Sequence, residues 1–395
     1  MEKYYESYEN FFGKEAAQEM AKLYSIFGVD TLEWVARLFD YEVGGFYYSN
    51  SARDTDGYLP DVESTTQALG LLGASDLSKY GSIAAAVPEE MGAAIVRFVS
   101  GLQDPEDGYF YHPQWGKSVN TSRTGRDLDS SCGLLRRFGS APPYDTPIER
   151  GKKGDNSSLP EHLRSWEALE AWLEGLGLNE YHKSYSCAHT ISSIRSQIAA
   201  AGYTDRAVEW INSKQRENGL WEDGELDYAK FNGLLKICTC HETWNKPYPR
   251  LAQGVQACID AALSDELVCA VPDVYNPWVA LGILLPNAKA HGAPGEYEAA
   301  MEKLRVNAAS LIRKTKEKLL LFRKEDGSFS YFKDRSSALS QGVPAAVPNT
   351  NEGDVNATAL AVGTASHHIA KAFGIKSERV FSAEDLEAFL AIVRR

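Results

Sequence analysis

The sequence predicts an all-α protein, and three observations support this fold class. First, apolar residues recur at the spacing of a helix face. In residues 159–178 they are Leu163, Trp166, Leu169, Trp172 and Leu173. Second, alternating runs rich in Val, Ile and Thr are few, so extended sheet is not expected. Third, one turn motif recurs between the predicted helices.

The turn motif is a glycine followed one or two residues later by an aromatic residue. Two of its four copies also have a glutamine before the glycine. The copies are FDYEVGGF (ending at Phe46), FVSGLQDPEDGYF (Phe110), WINSKQRENGLW (Trp221) and LFRKEDGSF (Phe329). Glycine ends a helix in a conformation that other residues resist. The aromatic ring then folds back on the helix pair, and Gln103 or Gln215 can bind backbone groups left unpaired there.

A second element follows each turn, and it begins with aspartate before an apolar run. The four segments are DVESTTQALGLL (from Asp61), DLDSSCGLLRRF (Asp127), DYAKFNGLLKI (Asp227) and DVNATALAVGTA (Asp354). An aspartate carboxylate accepts hydrogen bonds from first-turn amides, so each is predicted as a helix N-cap. The loops at 49–60, 111–126, 139–160 and 330–353 are long, which is typical of segments that line a functional mouth.

The spacing in residues 210–221 resembles the QW motif of squalene and oxidosqualene cyclases. Residues 44–72, with a Gly-aromatic turn before an Asp-x-x-x-Thr helix, resemble the α/α toroid of terpenoid cyclases and of protein prenyltransferase β subunits. The copies extend over residues 40–370. The resemblance implies one α/α-toroid domain over residues 1–395, with about six helical hairpins around a central cavity. It says less about chemistry, because one fold hosts many functions.

In the resembled enzymes, the third position of the Asp-x-? element faces the cavity. Its occupants in this chain are Glu63, Asp129, Ala229 and Asn356. None is the cysteine that zinc prenyltransferases use. DVEST and DLDSS resemble the Asp-x-Asp-Asp signature of class II cyclases, with serine at the fourth position. This implies Asp129 or Glu63 as proton donor, oriented by Asp127 or Asp61; capping boxes are the alternative interpretation.

A basic and aromatic segment precedes Asp129 in an otherwise acidic protein. It contains Tyr111, His112, Trp115, Lys117, Arg123 and Arg126. Arginine suits a diphosphate or a carboxylate, and aromatic faces suit a carbocation or a sugar ring. We therefore predict substrate binding by Trp115, Lys117, Arg123 and Arg126. A solvated loop whose arginines pair with surface acids is the alternative interpretation.

The sequence leaves the cofactor unknown, although zinc and nucleotide cofactors are not expected. Cys238, Cys240 and His241 could suggest zinc, but Cys-x-Cys is tighter than the usual ligand spacing. The pairs Cys187/His189 and His367/His368 are weaker candidates. We expect no nucleotide cofactor, because neither a P-loop nor a paired-glycine dinucleotide loop is present.

Charge and composition argue against nucleic-acid-binding and membrane-spanning proteins. The net charge of −13 argues against a nucleic-acid partner, which would need a clustered basic surface. No run of 18 apolar residues exists, so no transmembrane segment is expected. An acidic, aromatic N-terminus and only six cysteines predict a reduced, cytoplasmic protein. The sequence leaves the oligomeric state open.

Three functional hypotheses remain. The first is a class II-type isoprenoid cyclase, an isomerase with a carboxylic general acid. The second is a polysaccharide lyase or glycoside hydrolase acting on an oligosaccharide. Tyr111 or His112 would then be base or acid, and Arg123 or Arg126 would neutralise a uronate. The third is a non-enzymatic toroid that binds a peptide or protein. A closed apolar cavity with one buried acid favours the first hypothesis, and an open polar cleft favours the second.

Overall fold

A computed structural model describes residues 6–155 and 159–394 and is mostly helical, as predicted. The helices are α1 (Glu6–Tyr24), α2 (Val29–Ala36), α3 (Asn50–Arg53), α4 (Val62–Leu72), α5 (Ile83–Ala86), α6 (Glu89–Gly101), α7 (Thr121–Arg137), α8 (Pro147–Lys152), α9 (Trp166–Leu176), α10 (Ser184–Ser193), α11 (Arg195–Ala200), α12 (Thr204–Ser213), α13 (Tyr228–Trp244), α14 (Leu251–Leu263), α15 (Pro272–His291), α16 (Glu296–Leu320), α17 (Val355–Gly363), α18 (Ile369–Phe373) and α19 (Ala383–Val393). A 3₁₀ turn (Glu161–Leu163) and a π-helical turn (Thr364–His368) complete the helical elements.

Two short antiparallel hairpins supply the strands of the described chain. Strand β1 (Phe39–Asp40) pairs with β2 (Gly45–Phe46), and β3 (Leu339–Ser340) pairs with β4 (Val343–Pro344). The second hairpin turns at Gln341 and Gly342, which both have positive φ. It matters for the site, because its turn residue Gln341 lines the cavity described below.

The four predicted glycine turns are confirmed. Gly44, Gly108, Gly219 and Gly327 have φ angles of 93°, 79°, 82° and 84°. The aromatic residue that follows each is buried. The glutamine role is also confirmed, because Gln215 Nε2 donates to the Gly219 carbonyl oxygen at 2.9 Å and Gln103 Nε2 to that of Gly108 at 3.0 Å.

Three of the four predicted aspartate caps are confirmed. Asp61, Asp227 and Asp354 begin α4, α13 and α17, and each carboxylate accepts from first-turn amides. The prediction for Asp127 is wrong. Helix α7 begins seven residues earlier, because Asn120 Oδ1 accepts from Arg123 N at 2.8 Å and supplies the cap instead. Residues 121–126, predicted as loop, are therefore helical. The predicted loops at 49–60 and 139–160 also contain short helices, α3 and α8.

Six helices contact one another in a closed cycle within the described chain. Helix α4 contacts α7, and the contacts continue through α10, α13, α15 and α17 back to α4. Hydrogen bonds join the ends of the cycle, with Val355 N donating to the Tyr48 carbonyl oxygen at 2.9 Å. The remaining long helices pack outside, as when α14 and α16 contact α15 and α6 contacts α7.

One contiguous hydrophobic cluster extends from Tyr8 in α1 to Val393 in α19. Helix α15 contributes the most continuous buried surface, since nearly its whole circumference faces other helices. None of the helices formed by residues 6–155 and 159–394 has both the length and the apolar character of a bilayer span.

Candidate functional site

The cycle of six helices surrounds a cavity of about 330 Å³. All six helices contribute to its lining, together with Tyr331 and the turn residue Gln341. The lining residues are Gln67, Arg126, Tyr185, Leu235, Lys236, Thr239, Pro272, Tyr275, Asn276, Val279, Tyr331, Gln341, Asn356, Ala359 and Leu360. Ten of these fifteen carry a polar side-chain atom. The cavity is therefore suited to a hydrophilic ligand rather than to a hydrocarbon.

On one side, α4 and α7 form what we call the paired wall: Asp61, Glu63, Arg123, Arg126 and Asp127. Arg126 lines the cavity and forms a bidentate ion pair with Glu63, whose Oε2 lies 3.1 Å from Arg126 Nε. Burial raises the pKa of Glu63, but the charges of Arg126 and Arg123 outweigh this effect and lower it to about 2. Glu63 is therefore ionised at neutral pH and unsuited to donating a proton.

Arg123 lies behind that pair and is completely buried. Its Nη2 donates to Asp61 Oδ1 at 3.0 Å, and its Nε donates to Asp127 Oδ2 at 3.0 Å, one turn along α7. Its Nη1 reaches the Ser340 carbonyl oxygen at 3.3 Å, which connects α7 to the second hairpin. The guanidinium also stacks on the Trp115 ring, 4.5 Å from its centroid. Arg123 is thus a structural centre that holds α4, α7 and the hairpin together.

The two aspartates of DLDSS have separate environments. Asp127 is buried beside Arg123, and burial raises its pKa to about 7 despite the attraction of that arginine. It can hold a proton, but it is not among the residues that line the cavity. Asp129 has an exposed side chain, and the surrounding protein raises its pKa against the charges of Arg195 and Arg126. It does not line the cavity either.

On the other side, α13 and α15 form what we call the open wall: Lys236, Thr239 and Tyr275. Among the described residues, none forms an ion pair or hydrogen bond with the Lys236 ammonium. Burial, and then the charge of Arg126, lowers the pKa of Lys236 to about 8. Burial raises the pKa of Tyr275 to about 12, with Arg126 opposing. Because Arg126 acts on both groups, the three side chains converge on one space.

Further aromatic groups complete the lining. Tyr185 packs edge-on against Tyr228, with ring centroids 5.6 Å apart. Burial raises the pKa of Tyr185 and of Tyr331, so both phenols keep their protons at neutral pH. His189 lies one turn along α10 from Tyr185, with ring centroids 5.9 Å apart. Burial, then the charges of Lys236 and Arg126, lowers the pKa of His189 to about 3, so its imidazole is neutral.

The structure separates the basic and aromatic residues that the sequence grouped together. His112 Nε2 lies 2.8 Å from the Pro60 carbonyl oxygen, and its Nδ1 accepts from Gln114 N at 3.3 Å. Both nitrogens are therefore engaged, and burial lowers the pKa of the imidazole. Trp115 Nε1 donates to the Pro344 carbonyl oxygen at 3.1 Å. Trp115 therefore supports the second hairpin, His112 holds the segment that leads into α4, and neither residue lines the cavity.

Tyr111 and Lys117 form part of an acidic surface cluster. The Tyr111 hydroxyl donates to Asp107 Oδ2 at 2.9 Å, and Lys117 Nζ lies 2.7 Å from Asp104 Oδ2. Burial raises the pKa of Tyr111, with Asp107 adding to the effect. Of the ten residues selected from the sequence, Arg126 lines the cavity, and Glu63, Asp61, Arg123 and Asp127 lie behind it.

The suggested metal ligands do not come together. Among the described residues, no group of three or more His, Cys, Asp or Glu side chains is arranged to hold a metal ion. Cys238 and Cys240 are buried free thiols within α13. The ring of His241 packs on Tyr248, with centroids 5.3 Å apart.

Sequence reasoning missed the open wall. Lys236 sits in the apolar run LLKIC, and a lysine within such a run is an unusual signal that could have been used. Tyr275 and Tyr185 carry no comparable signal, because tyrosine is common in helical cores. Of the four third positions of the Asp-x-? elements, Asn356 lines the cavity, whereas Glu63, Asp129 and Ala229 are not among its lining residues.

Comparisons with known proteins return no match to this chain, either among protein-family models or among curated proteins. The geometry of the cavity is therefore the basis for assigning a function to this chain.

Proposed function

We propose that the chain is a single α/α toroid whose central cavity binds an acidic sugar and cleaves its glycosidic bond by β-elimination, as polysaccharide lyases do. The toroid is supported by the closed cycle from α4 to α17 and by the contribution of every helix in that cycle to the cavity lining. The single observation that carries the ligand class is the unpaired ammonium of Lys236. In a protein of net charge −13, such a cation in a polar cavity favours an anion.

An acidic sugar fits the cavity better than a prenyl diphosphate. Most lining residues are polar, whereas a prenyl chain needs apolar walls to replace the water around it. A sugar also uses the tyrosine rings at Tyr185, Tyr275 and Tyr331, whose faces pack on its C–H groups while their hydroxyls bond to its oxygens.

The open wall and Arg126 supply the groups that β-elimination needs. Arg126 uses Nε and Nη2 for Glu63, so its Nη1 is available to bind and neutralise the uronate carboxylate. With a pKa of about 8, Lys236 is mostly an ammonium near neutral pH and attracts the anion in that form. The fraction present as free amine removes the proton from the carbon beside that carboxylate. The electron pair of that C–H bond forms the new C=C bond as the C–O bond to the leaving sugar breaks.

Tyr275 completes the reaction as the acid. Burial keeps its phenol protonated, and its hydroxyl has no hydrogen-bond partner among the described residues. It donates its proton to the departing oxygen, and Lys236 returns a proton to solvent, from which Tyr275 is reprotonated. No water is consumed, and the product carries a conjugated double bond.

The isoprenoid cyclase has less support. A class II mechanism needs a protonated carboxylic acid facing the substrate, but Glu63 is ionised by its pair with Arg126. Asp127 can hold a proton, yet it contacts Arg123 behind the wall and not the cavity.

The experiment measures thermal stabilisation of the wild-type protein by glucuronate oligosaccharides, neutral oligosaccharides and C15–C20 prenyl diphosphates. A ligand at about 100 times its Kd adds about 2.7 kcal/mol to stability. We expect stabilisation by the uronates alone, its loss in Lys236→Met, and its retention in the surface control Lys376→Met.

Turnover is followed by the ultraviolet absorbance of the conjugated double bond. We expect product from the wild type and none from Tyr275→Phe, which should still bind. Binding without product would indicate a sugar-binding protein and not an enzyme. Stabilisation by prenyl diphosphates alone would contradict the proposal and favour the cyclase.

A further inference from the structure

A second concave site adjoins the cavity. It is a groove of about 500 Å³ between the start of α7, α9, α10 and the second hairpin. Its lining residues are Asn120, Thr121, Ser122, Trp172, Leu176, Tyr185, Ser186, His189, Thr190, Gln341 and Gly342. Tyr185 and Gln341 line both the groove and the cavity, so the two spaces meet at these residues.

The chemistry of the groove differs from that of the cavity. None of its described lining residues carries a charge at neutral pH, since burial lowers the pKa of His189 and raises that of Tyr185. A charged group entering the groove would lose hydration without gaining an ionic partner. The groove therefore selects against the anion that the cavity favours.

Two hydroxyl groups of the groove, those of Ser186 and Thr190, donate their protons to backbone carbonyl oxygens within α10 and just before it, and Thr190 Oγ1 also accepts from Ser122 Oγ at 3.5 Å. Thr190 Oγ1 donates to the Ser186 carbonyl oxygen at 2.9 Å, and Ser186 Oγ donates to the Lys183 carbonyl oxygen at 3.1 Å. Each oxygen keeps lone pairs that can accept. A ligand rich in hydrogen-bond donors, such as a sugar with free hydroxyls, is complementary to such a surface.

Trp172 adds a flat apolar surface. Its ring stacks on His162, with centroids 4.4 Å apart and an angle of 9° between the planes, which fixes its orientation. It is half-buried and contributes to the groove lining. A fixed indole ring is suited to pack against the C–H face of a pyranose.

We propose that the groove binds an uncharged sugar unit linked to the acidic sugar in the cavity, with Trp172 as the packing surface and Ser186 and Thr190 as hydrogen-bond acceptors. This inference rests on the proposed function and sharpens it. The substrate is then a chain in which an acidic unit is followed by a neutral one, and not a polymer of acidic units alone.

The test compares the Kd values of three probes by calorimetry: glucuronate, a glucuronosyl-glucose disaccharide and a glucuronosyl-glucuronate disaccharide. We expect the mixed disaccharide to bind more tightly than glucuronate, and the doubly acidic one to gain nothing over glucuronate. Trp172→Ala should weaken the mixed disaccharide by about threefold to tenfold and leave glucuronate unchanged.

Two further variants keep the test decisive. Thr190→Val preserves side-chain shape and should weaken the mixed disaccharide in the same direction as Trp172→Ala, even if the latter folds poorly. Trp166→Ala is the matched control, because Trp166 lies on the same helix but packs against Tyr203 and Arg206, away from the groove. It should change neither Kd.

The outcomes separate this inference from the proposed function. If glucuronate binding depends on Lys236 but Trp172→Ala and Thr190→Val affect all probes equally, the cavity assignment stands and the groove assignment is overturned. The groove assignment would also be overturned if the doubly acidic disaccharide bound as tightly as the mixed disaccharide. If glucuronate binds independently of Lys236, the proposed function fails, while the ratio of the disaccharide and glucuronate affinities still tests the groove. If none of the probes binds, both fail.

Discussion

The paired wall and the open wall face the same cavity, but the cations of the paired wall form ion pairs and the cation of the open wall does not. In the paired wall, Arg123 and Arg126 meet three carboxylates, and Arg123 has no exposed surface. In the open wall, the single cation Lys236 has no partner among the described residues. A satisfied network fixes the geometry of helices, whereas an unsatisfied cation costs stability until a ligand arrives. The difference separates structural charges from those available for binding.

The largest expected effect comes from breaking the paired wall at its centre. Arg123→Met leaves Asp61 and Asp127 buried without their common cation, so we expect a loss of about 3–5 kcal/mol in the free energy of unfolding. Urea denaturation measures it. The double variant Arg123→Met/Asp127→Leu should recover part of the loss, because one of the stranded carboxylates is gone. A loss below about 1 kcal/mol would mean that Arg123 is not the structural centre we describe.

The pH dependence of stability provides a second test of the paired wall. The pKa of Asp127 is raised to about 7 in the folded protein, so the folded state holds a proton that the unfolded state releases at a lower pH. This group therefore lowers stability progressively as pH rises from about 4 to 7. Asp127→Asn should flatten that region of the profile, by about 1–3 kcal/mol.

Glu63 acts in a different pH window and provides an internal comparison. Its pKa is lowered to about 2, so its contribution is complete above the unfolded value near 4.5 and is lost as pH falls toward 2. Asp127→Asn should leave that acid limb in place. If Asp127→Asn and the wild type had the same pH profile of stability between pH 4 and 7, the raised pKa of Asp127 would be contradicted.

Removing the cation of the open wall should raise stability, whereas removing the central cation of the paired wall should lower it. Replacing Lys236 with methionine removes an unpaired cation, so the ligand-free protein should gain about 1–2 kcal/mol at pH 7. The folded pKa of about 8 lies below the unfolded value of 10.5, so wild-type stability rises between these pH values. The advantage of Lys236→Met should shrink across the same range. Lys376→Met, at an exposed position, should show neither effect.

The smallest effect is expected at the cap of α13, and the cap of α4 serves as its comparison. Asp227 begins α13 of the open wall and accepts from Lys230 N at 2.9 Å, so Asp227→Ala should cost about 1 kcal/mol in thermal unfolding. Asp61 begins α4 of the paired wall and also binds Arg123, so Asp61→Ala should cost several times more. Equal losses at the two caps would show that the Arg123 network adds nothing beyond capping.

Local chemistry made much of the fold predictable. The conformation of Gly219, the contact of Gln215 with the turn and the cap at Asp354 each depend on residues close in sequence. The start of α7 was mispredicted because two capping signals, Asn120 and Asp127, compete within seven residues. Asn120 comes first, no proline separates the two positions, and the helix continues through Gly125.

The site was less predictable because its members come from distant parts of the chain. Tyr111, His112 and Arg126 are close in sequence, yet they lie in three different places. Tyr111 bonds to an acidic loop, His112 bonds to the segment before α4, and Arg126 lines the cavity. Conversely, Arg126 meets Lys236 and Tyr275 only through the packing of α7, α13 and α15 around the cavity. Sequence proximity identified Arg126 but not its companions.

The contact between α17 and α4, which closes the cycle of helices, affects how this architecture can change over evolution. Open repeat arrays have two ends, and they grow or shrink by gaining or losing units beside terminal caps. Here the Tyr48–Val355 hydrogen bond and the contact of α17 with α4 join the ends of the series. Insertion of a further helix into this cycle of contacts would require the neighbouring helices to pack again so that the cycle still closes. A change of specificity that keeps the cycle intact is therefore expected in the connecting loops, such as the Gln341 hairpin, where cavity and groove meet.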